Sequence, residues 1–295
     1  MTTTAIFKDT KELRQFVRIH ASTHPEVWRP GVPLAKQQIA RYISAELLDK
    51  VETFAKDGTG GDPIAQLLPC VQHTMAPMIM LNISAEMSMN IGDGGHSVLK
   101  NETTLPASDA KISKYEDSLK QRIDQCLTAL INLFDTNVSL YPDYEKSDAY
   151  KRRFDCLFRS AMDLETIGLV HIQNSHIAYE TLRESIIKAQ ERFILPKLGK
   201  DLYNELLNDV NDVKQELKKL AARFCANRAI AHYLEANKNN TDKLPIIPAD
   251  YSGDADFYLK AFETYLIENA ESLGVTIFKP AEFNHKDSKI FSAIP

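Results

Sequence analysis

Apolar residues recur at steps of three and four through most of the chain, and this spacing predicts a mainly α-helical protein. The clearest stretch is Ile186–Leu207, IIKAQERFILPKLGKDLYNELL. Ile186, Ile187, Phe193 and Ile194 form one helical stripe, Pro196 is expected to stop it, and Gly199 suits a left-handed cap. Asp201 then opens a second run through Leu202, Leu206 and Val210. A weaker version stands at Ala35–Val51, where Arg41-Tyr42-Ile43 matches Arg192-Phe193-Ile194 at an offset of 192 − 41 = 151. Ser44-Ala45-Glu46-Leu47-Leu48 matches Gly199-Lys200-Asp201-Leu202-Tyr203 at 199 − 44 = 155, so a short gap separates the two matches. Such self-similarity reads as an internal duplication.

The remaining pattern supplies the other elements. Thr10–Val17 reads as an early helix capped by Thr10, and Pro25, Trp28, Pro30 and Pro33 as a stiff connection into a helix over Ala35–Ile43. Ser44 caps the next helix, with Leu47, Val51 and Phe54 inward. Ile64–Met89 is long and apolar, and its Pro69 and Pro77 are expected to start, kink or split it. Alternation around Met87, Met89 and Ile91, the Asp93-Gly94-Gly95 turn and Ser97-Val98-Leu99 predict a small β-hairpin. Ser108–Phe134 is a long amphipathic helix, and the polar junction Asn137–Tyr150 separates the halves. Lys151-Arg152-Arg153 starts a helix toward Met162, a trio that reads as a solvated face. In the second half, Leu169-Val170-His171-Ile172 mirrors Phe16-Val17-Arg18-Ile19. Helices follow over Asn208–Ala236, with Val213 on the apolar stripe, and over Asp254–Ser272, with Phe257, Ala261, Phe262, Tyr265 and Leu266 inward. The expected architecture is therefore two similar helical-bundle halves, residues 1–140 and 141–275, with the hairpin in the first and an extended C-terminal arm over 276–295.

Composition narrows the function classes. A hydrophobic share of 44% with 25% charged residues describes a globular protein, and a net charge of −5 argues against a dedicated nucleic-acid groove. Cys70, Cys126, Cys156 and Cys225 lie far apart without a Cys-x-x-Cys pair and read as free thiols in a reducing compartment. The N-terminus lacks a basic region followed by an apolar core, and Thr74–Met89 is too polar to span a bilayer, so a soluble, intracellularly made protein is expected.

Candidate chemistry is sparse. The eight histidines show no metal-ligand spacing, and neither Gly58-Thr-Gly60-Gly61 nor Gly92-Asp-Gly94-Gly95 is followed by Lys-Ser/Thr. No Gly-x-Ser-x-Gly occurs. The residues therefore nominate no catalytic group, cofactor or metal, and the candidate sites are partner surfaces. One is the methionine-rich hairpin region with Met87, Met89, Ile91 and Val98; methionine adapts to irregular partners, although plain core explains most of the stripe. The other is the aperiodic apolar tail with Phe278, Phe283, Ile290 and Phe291, an arm that packs on its own subunit or on a neighbour.

The phrases FKDTKELRQFVRIHAS (Phe7–Ser22), LLPCVQHTMAPMIMLNI (Leu67–Ile83), NIGDGGHSVL (Asn90–Leu99) and ERFILPKLGKDLYNELL (Glu191–Leu207), in this order around the Ser108–Phe134 helix, carry a resemblance. The chain resembles a family of small α-helical proteins of tailed phages and prophages of Bacteroides-like bacteria, regarded as head–tail connectors. It departs from that pattern by carrying the unit twice, with LPIIP (Leu244–Pro248) in place of the second hairpin. The resemblance implies a structural virion protein at the portal–tail junction, made in the host cytoplasm. It also implies self-assembly into a closed ring, commonly twelve-fold, contacts with the portal protein and with tail or further connector proteins, and DNA passing through the channel without specific binding. Two other classes stand beside it: a host-encoded helical scaffold or binding module, and an enzyme with a site between the halves around His171, His176 and His232.

Overall fold

The computed structural model describes residues 6–87, 90–92, 95–97, 108–208, 212–238 and 244–275. They are mainly helical. In the first half α1 (Thr10–Leu13) and α2 (Pro25–Trp28) are single turns leading to α3 (Gly31–Ile43), α4 (Ala45–Asp57) and the long α5 (Asp62–Met87). Two three-residue strands, β1 (Asn90–Gly92) and β2 (Gly95–Ser97), pair antiparallel with Ile91 opposite His96. The long α6 (Asp109–Thr136) follows. A 3-10 turn at Val138–Leu140, α7 (Pro142–Lys146), α8 (Asp148–Lys151) and a 3-10 turn at Arg152–Asp155 cross to the second half. That half holds α9 (Ala161–Thr166), α10 (His176–Ala189), a π turn at Gln190–Ile194, α11 (Leu195–Leu206), α12 (Asp212–Ala236), α13 (Tyr251–Glu268) and α14 (Ala270–Leu273).

Two hydrophobic cores result. In the first, α5 lies against α3, α4 and α6, burying Leu67, Val71, Met75, Ile79 and Ile83. Gly31 makes the α3–α5 contact close: a Cβ there would stand 2.7 Å from the Ile79 carbonyl oxygen. In the second, α12 lies against α10 and α13, burying Leu217, Ala221, Phe224, Cys225 and Ile230. Tyr141 and Tyr144 belong to the first core, so that core runs past residue 140, through what reads in the sequence as a polar junction. Asp62–Ser84 is long and apolar enough by composition to cross a membrane, but most of it is buried here as core. Met75, Met78 and Met80 are part of that core.

Several sequence expectations are corrected. Pro69 and Pro77 do not split α5: each removes one hydrogen bond, and packing on both flanks keeps the helix continuous. Pro25 opens α2, and Pro33 lies in the first turn of α3, positions where a missing N–H leaves nothing unpaired. Asp9, not Thr10, caps α1, and α1 ends at Leu13, well short of Val17. Thr10 is buried and accepts the Trp28 indole N–H at 3.0 Å. Pro196 does not stop the helix either; the break comes at Gly199, with φ 72° and ψ 167°, which is not a left-handed helical cap. Arg153 is buried, not solvated, and Phe257 and Val213, expected inward, are 65% and 37% exposed.

Candidate partner interface

Of the candidate interface residues, Met87 ends α5 and Ile91 lies in β1. Met89, Val98, Phe278, Phe283, Ile290 and Phe291 lie outside the described residues. The describable surfaces are therefore the seam where the halves meet and the outer faces of the helices.

The seam is built around Arg153. Its guanidinium donates to both Asp135 carboxylate oxygens at 2.5 and 2.7 Å, to the Tyr144 hydroxyl at 2.9 Å and, through Nε, to the Arg159 carbonyl at 2.7 Å. Burial alone would make this cation easier to neutralise, but the hydrogen bonds and charge of Asp135 outweigh it, and its pKa rises. Burial also pushes the Tyr144 hydroxyl up to about 12, so it stays a neutral partner. Beside it Arg152 and Arg183 both face Glu180, at 3.3 and 3.7 Å, while Arg183 donates to the Arg152 carbonyl at 2.9 Å.

A second set of contacts holds the start of α10. Ser175 caps it, accepting from the Ala178 N–H at 2.9 Å. Two first-turn N–H groups are capped from α6: Thr128 Oγ1 accepts from His176 N, and Asp124 Oδ1 accepts from Ile177 N, both at 3.1 Å. The buried His176 ring stands edge-on to Tyr42 at 5.6 Å between centroids. Burial, then the charges of Arg153 and Arg152, pull its pKa down to about 3, so His176 is neutral at physiological pH. Packing, not chemistry, explains this histidine.

Residues 35–154 match a family of unknown function, DUF6712. The matched stretch runs from inside α3 to the 3-10 turn at Arg152–Asp155, which is the first core without α1 and α2. No curated protein and no solved structure matches the chain.

Catalytic alternatives find little to work with among the described residues. His171 and His232 are exposed while His176 is buried, and no hydrogen bond or ring contact joins any two of them. No three His, Cys, Asp or Glu side chains gather as a metal site among the described residues. Cys156 and Cys225 are buried, and burial raises both thiol pKa values, that of Cys156 to about 12, so they are poor nucleophiles. A groove of about 620 Å³ lies beside the α3–α4 break, lined by Arg41, Glu46, Asp143, Lys146, Asp148 and Arg152 among others. Its charges are mixed, which selects neither an anion nor a cation. By contrast α13 exposes Phe257 and Ile267, 65% and 53%, on a helix whose buried side is Tyr251, Ala255, Phe262 and Leu266. Exposed aromatic surface on a rigid helix is what partner contacts use. The earlier apolar stripe pointed Phe257 inward, and the signal that would have corrected it is the register Tyr251, Ala255, Phe262, Leu266 of the buried face.

Proposed function

We propose that this chain is a structural ring-forming protein of a phage particle, a head–tail connector or adaptor lying between portal and tail, built from two copies of one helical unit. The observation that carries the reading is the recurrence of a kinked helix pair, which gives each molecule two similar wedges in tandem. Ser44 breaks the α3–α4 helix at φ 76°, ψ 151°, and Gly199 breaks α11 at φ 72°, ψ 167°. These are the two positions that align in the sequence. The four residues by which the second match is delayed amount to about one helical turn, and they directly follow the π turn Gln190–Ile194.

Other details support a shared unit. Asp9 accepts from Glu12 N and Glu12 accepts from Lys8 N, at 2.8 and 2.7 Å. Ser160 accepts from Asp163 N and Asp163 accepts from Arg159 N, at 3.1 and 3.0 Å, each residue 151 positions later. Phe7, Leu13 and Trp28 are buried, and so are their counterparts Phe158, Leu164 and Tyr179 at the same spacing. Trp28 bonds back to Thr10, and Tyr179 bonds back to the Phe158 carbonyl.

A closed ring needs two different complementary patches per subunit, which a tandem pair of wedges offers at its two ends. The hydrogen-bonded seam at Arg153 keeps the wedges in one orientation, as a ring subunit requires. A mildly acidic molecule also suits a channel through which DNA slides. Electron microscopy of the purified protein, alone and mixed with the portal protein encoded beside it, tests the reading. Rings that stack on the portal are expected; a monomer that ignores the portal, or a gene flanked by metabolic genes, would overturn it.

A further inference from the structure

The chain carries a net charge of −5, yet one of its surfaces is purely cationic. Just after α1 a cavity of about 390 Å³ is lined by Arg14, Val17, Arg18, Ile19 and His20, with no carboxylate among them. The acids nearest in sequence are already engaged. Glu12 accepts the Lys8 N–H at 2.7 Å and the Gln72 side-chain amide at 2.9 Å, and Asp9 accepts the Glu12 N–H at 2.8 Å. Among the described residues no hydrogen bond, ion pair or ring contact reaches the guanidinium of Arg14 or Arg18. Arg152, Arg153 and Arg183, by contrast, each meet a carboxylate.

The backbone beneath these side chains is fixed by the first core. Val17 is buried in it and Ile19 packs against it, while Arg14, Arg18 and His20 are exposed, so the cavity has an apolar floor and a charged rim. Beyond α1 the chain keeps turning, with Phe16 N and Val17 N both donating to the Leu13 carbonyl, at 3.0 and 3.2 Å. The Thr10 hydroxyl donates to the Thr23 carbonyl at 2.8 Å, which ties the far end of the connection back to α1. The Ser22 N–H donates to His20 Nδ1 at 3.3 Å, so Nδ1 is an acceptor and Nε2 carries a proton. Like charges gathered on a fixed backbone repel one another, and an anion between them removes that cost.

We propose that this cavity binds a phosphate group, with the Arg14 and Arg18 guanidinium forks and the His20 Nε2–H as its donors. A planar guanidinium presents its N–H groups in a fork that matches phosphate oxygens two at a time. The permanent charges of Arg14 and Arg18 together also exceed what a single carboxylate would neutralise. A phosphate ester brings a charge of about −1.5 to −2 on one group, and successive phosphates of a nucleic-acid backbone bring one each. The site stands apart from the ring reading, since a monomer would carry it equally.

The test is binding of two probes by the full chain at low salt. Inorganic phosphate is followed by calorimetric titration, and a short fluorescein-labelled DNA strand of mixed sequence by anisotropy. The double variant Arg14→Gln with Arg18→Gln is compared with Lys188→Gln with Lys200→Gln, which removes the same charge from exposed positions elsewhere. The wild type and the lysine variant are expected to bind, and the arginine variant to bind about tenfold more weakly or not at all. Its melting curve without probe should be unchanged, because both arginines are exposed. Tight phosphate binding with no gain for DNA identifies a small phosphate ligand. DNA binding that weakens steeply with salt, and that phosphate competes with only poorly, identifies a nucleic-acid backbone. A wild type that binds neither probe, or equal affinities in the two double variants, would overturn the site.

Discussion

The two helix breaks, at Ser44 and Gly199, differ in what holds them, and α6 and α13 differ in what covers their outer faces. At the first break a serine sits at φ 76°, almost buried, and its hydroxyl accepts the Leu47 N–H at 3.3 Å. At the second a glycine takes the same backbone shape with no cap and with open space where a Cβ would lie. The same geometry is thus reached by a strained residue with a compensating hydrogen bond and by an unstrained one without it. The outer faces differ more. Asp124 and Thr128 of α6 are engaged by α10, whereas Asp256, Phe257 and Lys260 of α13 are bare. Within the described residues, α10 covers part of α6, while this stretch of α13 is exposed.

The largest expected effect comes from the Arg153–Asp135 pair at the seam. Asp135→Ala would leave the Arg153 guanidinium, 6% exposed, without its carboxylate. Removing one partner of a buried pair costs about 3–5 kcal/mol, because the other charge stays desolvated. Urea unfolding should show that loss, and Asp135→Asn, which keeps one acceptor, should show less. The contrast is Glu263→Ala, which breaks the Lys197–Glu263 pair at 2.7 Å between two side chains that are each more than a third exposed. Pairs of that kind are worth about 1 kcal/mol or less. Equal losses at the two sites would mean that the seam is no more than another surface contact.

A smaller effect follows from His176. Its folded pKa, about 3, lies below the unfolded value of 6.5, so protonation favours the unfolded chain. The stability it contributes is fully present above pH 6.5 and drains away as pH falls toward 3. At pH 5 the loss relative to neutral pH comes to about 2 kcal/mol. Other groups titrate over the same range, so the readout is the difference between the wild type and His176→Phe, which keeps a ring against Tyr42. The variant should resist acid better, and parallel pH profiles would remove His176 as the sensor.

These contrasts also show why some of the molecule was legible in sequence and some was not. The stripe of α6, Leu119, Ile123, Leu130 and Phe134, follows directly from helical spacing, because burial on one face is a periodic property. The likeness of Arg41–Leu48 to Arg192–Tyr203 is legible in sequence, and in each stretch the helix breaks at a residue of positive φ, Ser44 or Gly199. Arg153 was misread because a basic trio is solvated unless the fold brings a carboxylate, and Asp135 arrives from a different helix. Phe257 was misread because an aromatic side chain inside a molecule and one at an interface have the same hydrophobicity. The prolines misled in a third way, since a residue that ends a helix also starts one, and flanking packing carries α5 through both. Of the candidate site little could be legible: apolar character nominates a surface, but its occupant is settled by shape, and most of those residues lie outside the described ones.

Exchanging the residues at the two breaks probes the comparison at its finest. Both positions have φ near 75° with extended ψ, a region that side-chain-bearing residues avoid at about 1–3 kcal/mol each. Gly199→Ser should therefore destabilise by about that much. No atom lies within 4 Å of the added Cβ, so the effect would be conformational and not steric. A new hydroxyl could recover part of it only by capping the Leu202 N–H as Ser44 caps Leu47. Ser44→Gly moves the opposite way: it relieves the strain, loses a cap worth a few tenths when glycine replaces it, and frees the unfolded chain. The net change should stay within about 1 kcal/mol of zero. Urea midpoints of the two variants decide the matter. If Gly199→Ser is as mild as Ser44→Gly, the breaks do not share one backbone shape, and the strongest support for a repeated unit goes with it. If it is clearly the worse of the two, the halves differ in how they hold the break, while the break itself is common to both.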